Sequence, residues 1–477
     1  LPKNHLASKS STQNNSERAG FQDDLQIISK RSHASHMTAE AQRKPRVVLA
    51  TFGTAGDLHP FLAVALELKS RGVEPIIAAA EDYRSKVERE GVGFQRMRPA
   101  LETLGTHLGM SERAIARAAA KRPDFILREI VLPHLRDAYE DVMSVARNAD
   151  MIVTHSVAYG AQLAAEKCQI PQVSIVLQPM LFFSLYDPPV IANAPRLSRW
   201  IYRRGLAWTR SVLALSKWVA RGWAKPIDSF RAEIGLPKAT RHPLFQGQFS
   251  PLGTIALFSP VFGSPQADHP PHTEIVGFAF YDKHSTATDD SLEEFLAAGD
   301  APIVFTQGTS AVHDAEAFIR ESLAAVKDIG CRAVFVLDEE RVRQWHAESS
   351  ASILITGYAP YSELFPQARV IVHHGGIGTT AQALRAGRPQ LIAPYFVDQP
   401  DNAARVERLG CGRVVPPGLY MQQLVRSELE TLLSEPQYAQ AAEKVGERIS
   451  REHGAERAAE FILARLAELG ESVGTHC

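Results

Sequence analysis

Between Val370 and Val406 the chain reads VIVHHGGIGTTAQALRAGRPQLIAPYFVDQPDNAARV. Two adjacent imidazoles, His373 and His374, precede Gly375, Gly376 and Gly378, and the hydroxyls of Thr379 and Thr380 follow. Residues without side chains let a ligand approach the backbone. A helix opening at Thr379 would present free N–H groups and about half a positive charge, an arrangement suited to phosphate. One imidazole beside it can donate a further hydrogen bond. Asp398 and Gln399 come one βα step later, where carboxylate and amide suit the hydroxyls of a sugar. The structural alternative is a plain strand-to-helix turn with two ordinary rim histidines. The chain has no G-x-x-x-x-G-K-[ST] sequence, so a lysine-based phosphate loop is excluded.

A second loop, TFGTAGDLHPFLAVA, places Asp57 at the tip of a strand-to-helix turn. A positioned carboxylate that takes a proton from an attacking hydroxyl supplies roughly 10²–10⁴ in rate. His59 is the reserve base, and His155, ending MIVTHS, is expected to face the same cleft. The alternatives are that Asp57 caps the following helix and that His155 is a satisfied structural histidine. No Asp-x-Asp pair lies near either glycine loop, so no metal is expected.

These groups need elements to hold them. RVVLATFG, HPFLAVALELKSRG and VEPIIAAA alternate strand, helix and strand, the mark of a parallel sheet. ADMIVTHS, AYGAQLAAEKC and PQVSIVLQ repeat the pattern, and a second series begins at PIVFTQGTS near Pro302. The expected class is α/β, with two doubly wound Rossmann-like domains facing across a cleft and ligands at the carboxyl ends of the strands. The expected divisions are a leader over 1–44, a first domain over 45–280 and a linker over 281–300. A second domain over 301–454 follows, and then a helix over 455–477 able to pack on either half.

Composition limits the classes. The chain has 477 residues, 45% hydrophobic and 22% charged, with a formal net charge of −1, which gives no basic excess for nucleic acid. Cys168, Cys331, Cys411 and Cys477 are scattered, without a C-x-x-C pair, as expected of reduced cytoplasmic thiols. No apolar run reaches the roughly 18–20 residues of a membrane span. The leader is polar, and HASHM, ending at Met37, resembles vector-derived residues before a natural start.

HHGGIGTT, AGRPQLIAP and DQPDNA, in this order and spacing, resemble the donor motif of the family-1 nucleotide-sugar glycosyltransferases, which have the GT-B fold. The resemblance runs from about Arg46 to Ala467. It implies an inverting transfer from a UDP- or dTDP-linked sugar as co-substrate, with no cofactor, to a hydroxyl of a hydrophobic small molecule or lipid. It places His374, Gly376, Gly378 and Thr379 at the pyrophosphate, with Thr309 of TQGTS also at phosphate. Tyr358 and Ala359 of GYAP lie at the base, and Asp398 and Gln399 at the sugar. Gln382 stands where many uridine-nucleotide users carry a ribose-gripping Glu, so donors lacking the 2′-hydroxyl stay open. GDLHP matches the family's base position and gives Asp57 that role.

VLQPMLFFSLYDPP, with Met180, Phe182, Phe183 and Tyr186, is expected to wall an apolar acceptor pocket. Residues 197–226 carry four tryptophans and seven Lys or Arg without one acid. That pattern fits peripheral contact with the inner face of a membrane, or a hairpin folded over the acceptor site. In detail the chain looks most like the rhamnosyltransferase subunit of rhamnolipid synthesis and its bacterial relatives. Two other classes share the architecture: a sugar-nucleotide epimerase or hydrolase, and a non-catalytic nucleotide-sugar-binding protein.

Overall fold

The structure is a computed structural model that describes residues 43–122, 124–190, 195–282, 290–306, 315–395 and 397–474. Thirteen strands form two wholly parallel sheets among the described residues. The first has the order β3-β2-β1-β4-β5-β6-β7, from β1 (Arg46–Ala50), β2 (Glu74–Ala79), β3 (Gly93–Arg96), β4 (Met151–His155), β5 (Gln172–Val176), β6 (Thr254–Ala256) and β7 (Thr273–Ile275). The second has the order β10-β9-β8-β11-β12-β13, from β8 (Ile303–Thr306), β9 (Ala333–Val336), β10 (Ile353–Thr356), β11 (Val370–His373), β12 (Gln390–Ile392) and β13 (Gly412–Val414).

The central strands are apolar on both faces because helices cover both. Val47, Val48, Leu49 and Ala50 of β1 are fully buried, as are Ile303, Val304 and Phe305 of β8. Burying each such Val, Leu or Phe contributes about 1.5–3 kcal/mol, so the strand ends make rigid platforms. The strand order of each sheet reverses once. β1 lies between β2 and β4, and β8 lies between β9 and β11. The crevices where ligands settle in such sheets are therefore at the tips of β1 and β4, and of β8 and β11. Asp57 and His155 follow the first pair. His374 follows β11; Thr309, after β8, lies outside the described residues.

Two features join the halves. Phe182, Phe258, Phe262 and Phe278 from the first share one apolar cluster with Ile377, Leu384, Val406 and Ile449 from the second. The chain then returns: the helix Gly454–Gly474 buries Ala458, Ala459, Phe461 and Ile462 in the core of the first sheet, beside Leu58, Phe61 and Leu62. Arg71 holds the same helix through Glu456 at 3.5 Å and Glu460 at 3.3 Å. β7 pairs with β6 at the edge of the first sheet.

Candidate active site

The first-sheet tip is built around a helix start. Thr54 caps the helix Ala55–Ser70, and Asp57, its third residue, completes a capping box: the Thr54 backbone N–H donates to Asp57 Oδ2 at 2.8 Å. Asp57 therefore does take part in capping, though as the third residue and not as the cap. Its Oδ1 has no hydrogen-bond partner among the described residues. Gly53 makes this turn possible. Its φ is +138°, and a Cβ there would lie 2.2 Å from Asp57 Oδ2. Burial, opposed by the Thr54 hydrogen bonds, raises the Asp57 pKa to about 6.

His59 and His155 are placed differently from Asp57. His59 Nε2 meets Lys86 Nζ at 2.5 Å, and burial followed by that ammonium pushes its pKa down to about 4. Such an imidazole is a poor proton acceptor at neutral pH, which leaves Asp57 the better base. His155 is buried. Its Nδ1–H donates to Phe52 O at 3.2 Å, Nε2 has no partner, and burial lowers its pKa to about 4.

The second-sheet tip divides the two histidines. His373 is fully buried; its Nδ1 accepts from Gly375 N–H at 3.0 Å and its Nε2–H donates to Gln390 Oε1 at 2.9 Å. It shapes the turn and does not reach the rim. His374 folds over Gly376, where a Cβ would lie 2.6 Å from its Nε2, and its buried Nδ1 has no partner. Burial, then the neighbouring His373, lowers its pKa to about 3, so the ring is neutral. Gly376 starts the helix Ile377–Arg385 without any side-chain cap, leaving first-turn N–H groups, including those of Gly378 and Thr379, open. The Thr380 hydroxyl there is also buried without a partner.

The two tips face each other. A Cβ on Gly378 would lie 3.7 Å from Gly56 Cα. Asp398 lies close enough to Asp57 for their charges to repel. Burial, and then that repulsion, raises the Asp398 pKa to about 7. Asn402 Nδ2 donates to Asp398 Oδ2 at 2.7 Å and to Gly375 O at 2.9 Å, tying these two turns of the second sheet together.

Other expected contacts are arranged otherwise. Gln399 is buried, and its Oε1 accepts from Tyr395 N–H at 2.8 Å, so it holds the loop before Asp398. Gln382 donates to Asp282 Oδ1 at 3.2 Å and accepts from Arg385 Nη2 at 2.7 Å, within an Asp282–Arg385 ion pair. Tyr358 is 63% exposed, with its face open, and Ala359 is buried. Phe182 is buried, stacked on Phe249 at 5.6 Å and His269 at 4.2 Å. Phe183 sits at φ +49° with its ring edge-on to Phe245 at 4.5 Å; Met180 is half-buried and Tyr186 is 52% exposed.

One constellation was not expected. Arg405, almost fully buried, donates to Asp401 at 2.7 Å in its own helix and to Asp187 at 2.6 Å in the first domain. Asp401 also accepts from Val190 N–H at 2.9 Å. This pins the 184–190 loop to the helix Gln399–Arg408 that begins beside Asp398. The i, i+4 spacing of Asp401 and Arg405 was visible in sequence; the distant Asp187 was not.

Comparison with known proteins places this geometry. Residues 47–179 match the glycosyltransferase family 28 N-terminal domain, and residues 320–463 match the erythromycin biosynthesis protein CIII-like C-terminal domain. The chain is 30% identical over 434 residues to O-mycaminosyltylonolide 6-deoxyallosyltransferase of Streptomyces fradiae, covering 87% of this chain and 96% of that protein. The chain belongs to the GT-B glycosyltransferases related to the macrolide-modifying enzymes. An uncharacterized glycosyltransferase of Mycobacterium leprae is 31% identical to it over 90% of this chain and 98% of its own length. A sterol 3-beta-glucosyltransferase of Debaryomyces hansenii is 25% identical over 88% of this chain and 27% of that longer protein. The crystal structure of the glycosyltransferase VinC in complex with dTDP superposes with a TM-score of 0.61 at 19% identity, over 89% of this chain and 99% of that one. The glycosyltransferase of kitacinnamycin does so at 0.64 and 20%, over 89% and 100%. No described helix of this glycosyltransferase is long and apolar enough to cross a membrane.

Proposed function

We propose that this glycosyltransferase moves a sugar, with inversion, from a nucleoside diphosphate to a hydroxyl of an apolar small molecule. The observation that carries the reading is the apposition of Asp57, with Oδ1 open, and the uncapped helix start at Gly376–Thr379 beside His374. The acceptor oxygen attacks the anomeric carbon, its proton passes to Asp57 Oδ1, and the bond to the diphosphate oxygen breaks on the opposite face. The departing charge falls on the open N–H groups and the neutral His374 N–H, donors placed before the reaction begins. A carboxylate with a pKa near 6 takes a proton better than an ordinary one near 4. Asp398 is placed for a sugar hydroxyl and Tyr358 for the base.

A dTDP-linked deoxyhexose is the favoured donor. Gln382 is already engaged by Arg385 and Asp282, which disfavours a grip on two ribose hydroxyls. The names of the Streptomyces relative and of the dTDP complex of VinC point the same way. Macrolide and sterol acceptors among the relatives support an apolar acceptor here, and a rhamnosyl-type transfer to a lipid hydroxyl fits the same chemistry. A thermal-shift panel with dTDP, UDP and their sugars is expected to give the largest shift with dTDP, since binding stabilises in proportion to affinity. In calorimetry His374→Ala is expected to weaken dTDP binding at least about tenfold. An unchanged affinity would remove the diphosphate role. Donor cleavage equally fast without acceptor would favour a hydrolase.

A further inference from the structure

Among the described residues twelve large apolar side chains are exposed, and seven of them lie between Leu197 and Val219. They sit on two consecutive helices, Pro195–Tyr202 and Leu206–Ala220. The second helix buries Thr209, Leu213 and Ala220 against its own domain. Its opposite face shows Trp208 at 53%, Leu215 at 60% and Trp218 at 75% exposure. A helix packed on one face of a soluble domain ordinarily turns polar residues outward. This one turns out indole and leucine.

The charge carried by these two helices has one sign. Residues 197–226 hold seven Lys or Arg and no Asp or Glu, in a chain whose net charge is −1. Arg203, Arg204, Arg210 and Arg221 are exposed and have no ion-pair partner among the described residues. Arg204 lies over Trp200 at 4.0 Å and Trp208 at 6.0 Å, a guanidinium between two indoles. Tryptophan with arginine at one level is the composition of a membrane–water boundary.

We propose that these two helices dock the protein on an anionic lipid surface. Apolar side chains enter the headgroup region while the arginines meet lipid phosphates, the two signals that together hold a peripheral protein. A protein partner would be expected to call for charges of both signs on the face; a surface that is negative throughout suits helices whose charged residues are all basic. The same helices support the 179–190 loop. Tyr202 donates to Pro189 O at 2.9 Å, His242 donates to Lys217 O at 3.1 Å, and Phe245 below them meets Phe183. Docking therefore brings that loop to the lipid, where an apolar acceptor would be concentrated. The docking goes beyond the transfer reaction, and either can fail without the other.

The test is co-sedimentation with phosphatidylcholine vesicles, with and without about 30% phosphatidylglycerol, near 0.1 M salt. The protein is expected to pellet with the anionic vesicles, to show a blue shift of tryptophan emission, and to be released by about 0.5 M salt. Trp208→Ser with Trp218→Ser, and separately Arg204→Glu with Arg210→Glu, are expected to cut partition at least about tenfold. Both pairs should melt at the parent temperature, because these side chains are exposed. Equal pelleting with neutral vesicles, no pelleting, or pelleting indifferent to both pairs would overturn the proposal. So would light scattering that shows a dimer which the tryptophan pair splits, with no vesicle binding: the face would then belong to a second copy.

Discussion

Asp57 and Asp398 are two carboxylates held near each other, both with pKa values above the ordinary carboxylate value near 4. Because the folded chain binds these protons more tightly than the unfolded one, the pair lowers stability as pH rises from about 4 through 7. Asp398→Asn removes one charge and keeps an oxygen for Asn402. It is therefore expected to raise the melting temperature near pH 8, by about 1–2 kcal/mol of stability, and to give no gain near pH 4.5. Transfer should show the opposite trend. With Asp57 as the proposed base, the rate at saturating donor is expected to rise with pH through about 6 and then level. Asp57→Asn is expected to leave nucleotide affinity within a few-fold by calorimetry and to slow transfer at least about 10²-fold. Normal turnover in that variant would remove Asp57 as base. These residues were legible because their chemistry is local: a glycine turn, a helix start and a carboxylate recur within a few positions. The contacts of Gln382 with Asp282 and of Phe182 with Phe249 were not legible, because those partners are far away in sequence and are brought up only by the folded chain.

At the scale of elements, the helix Gln399–Arg408 does two things: it starts beside Asp398, and through Arg405 it grips Asp187 in the 184–190 loop. Arg405→Ala would leave Asp401 buried without its counter-charge, while Asp187 keeps Arg408 at 3.5 Å, at a cost of about 3–5 kcal/mol in chemical denaturation. Asp187→Asn is the milder change. It is expected to loosen the loop and to raise KM for the acceptor with little effect on donor affinity, as steady-state kinetics with each substrate varied would show. The strong elements were readable from composition. β1, β8 and β11 are unbroken apolar runs, and the helix Ala55–Ser70 opens on a capping sequence. β3 (GFQR), β7 (TEI) and β13 (GRV) were not, because three or four half-exposed residues carry no alternation. Only pairing with an existing neighbour makes them strands.

For the whole molecule, the shared phenylalanine-rich cluster and the returning C-terminal helix tie the core of each half to residues of the other. Calorimetry is accordingly expected to record one cooperative transition for residues 46–474; two resolved transitions would mean that the halves unfold separately. The returning helix also bears on biosynthesis. The first domain is translated first, yet Phe461 and Ile462 of its core follow the whole second sheet in the chain. A domain usually folds as soon as it leaves the ribosome. This one must wait, partly open, until the second sheet and the helix after it have emerged, so a nascent chain stalled before Gly454 should stay protease-sensitive and depend on chaperones.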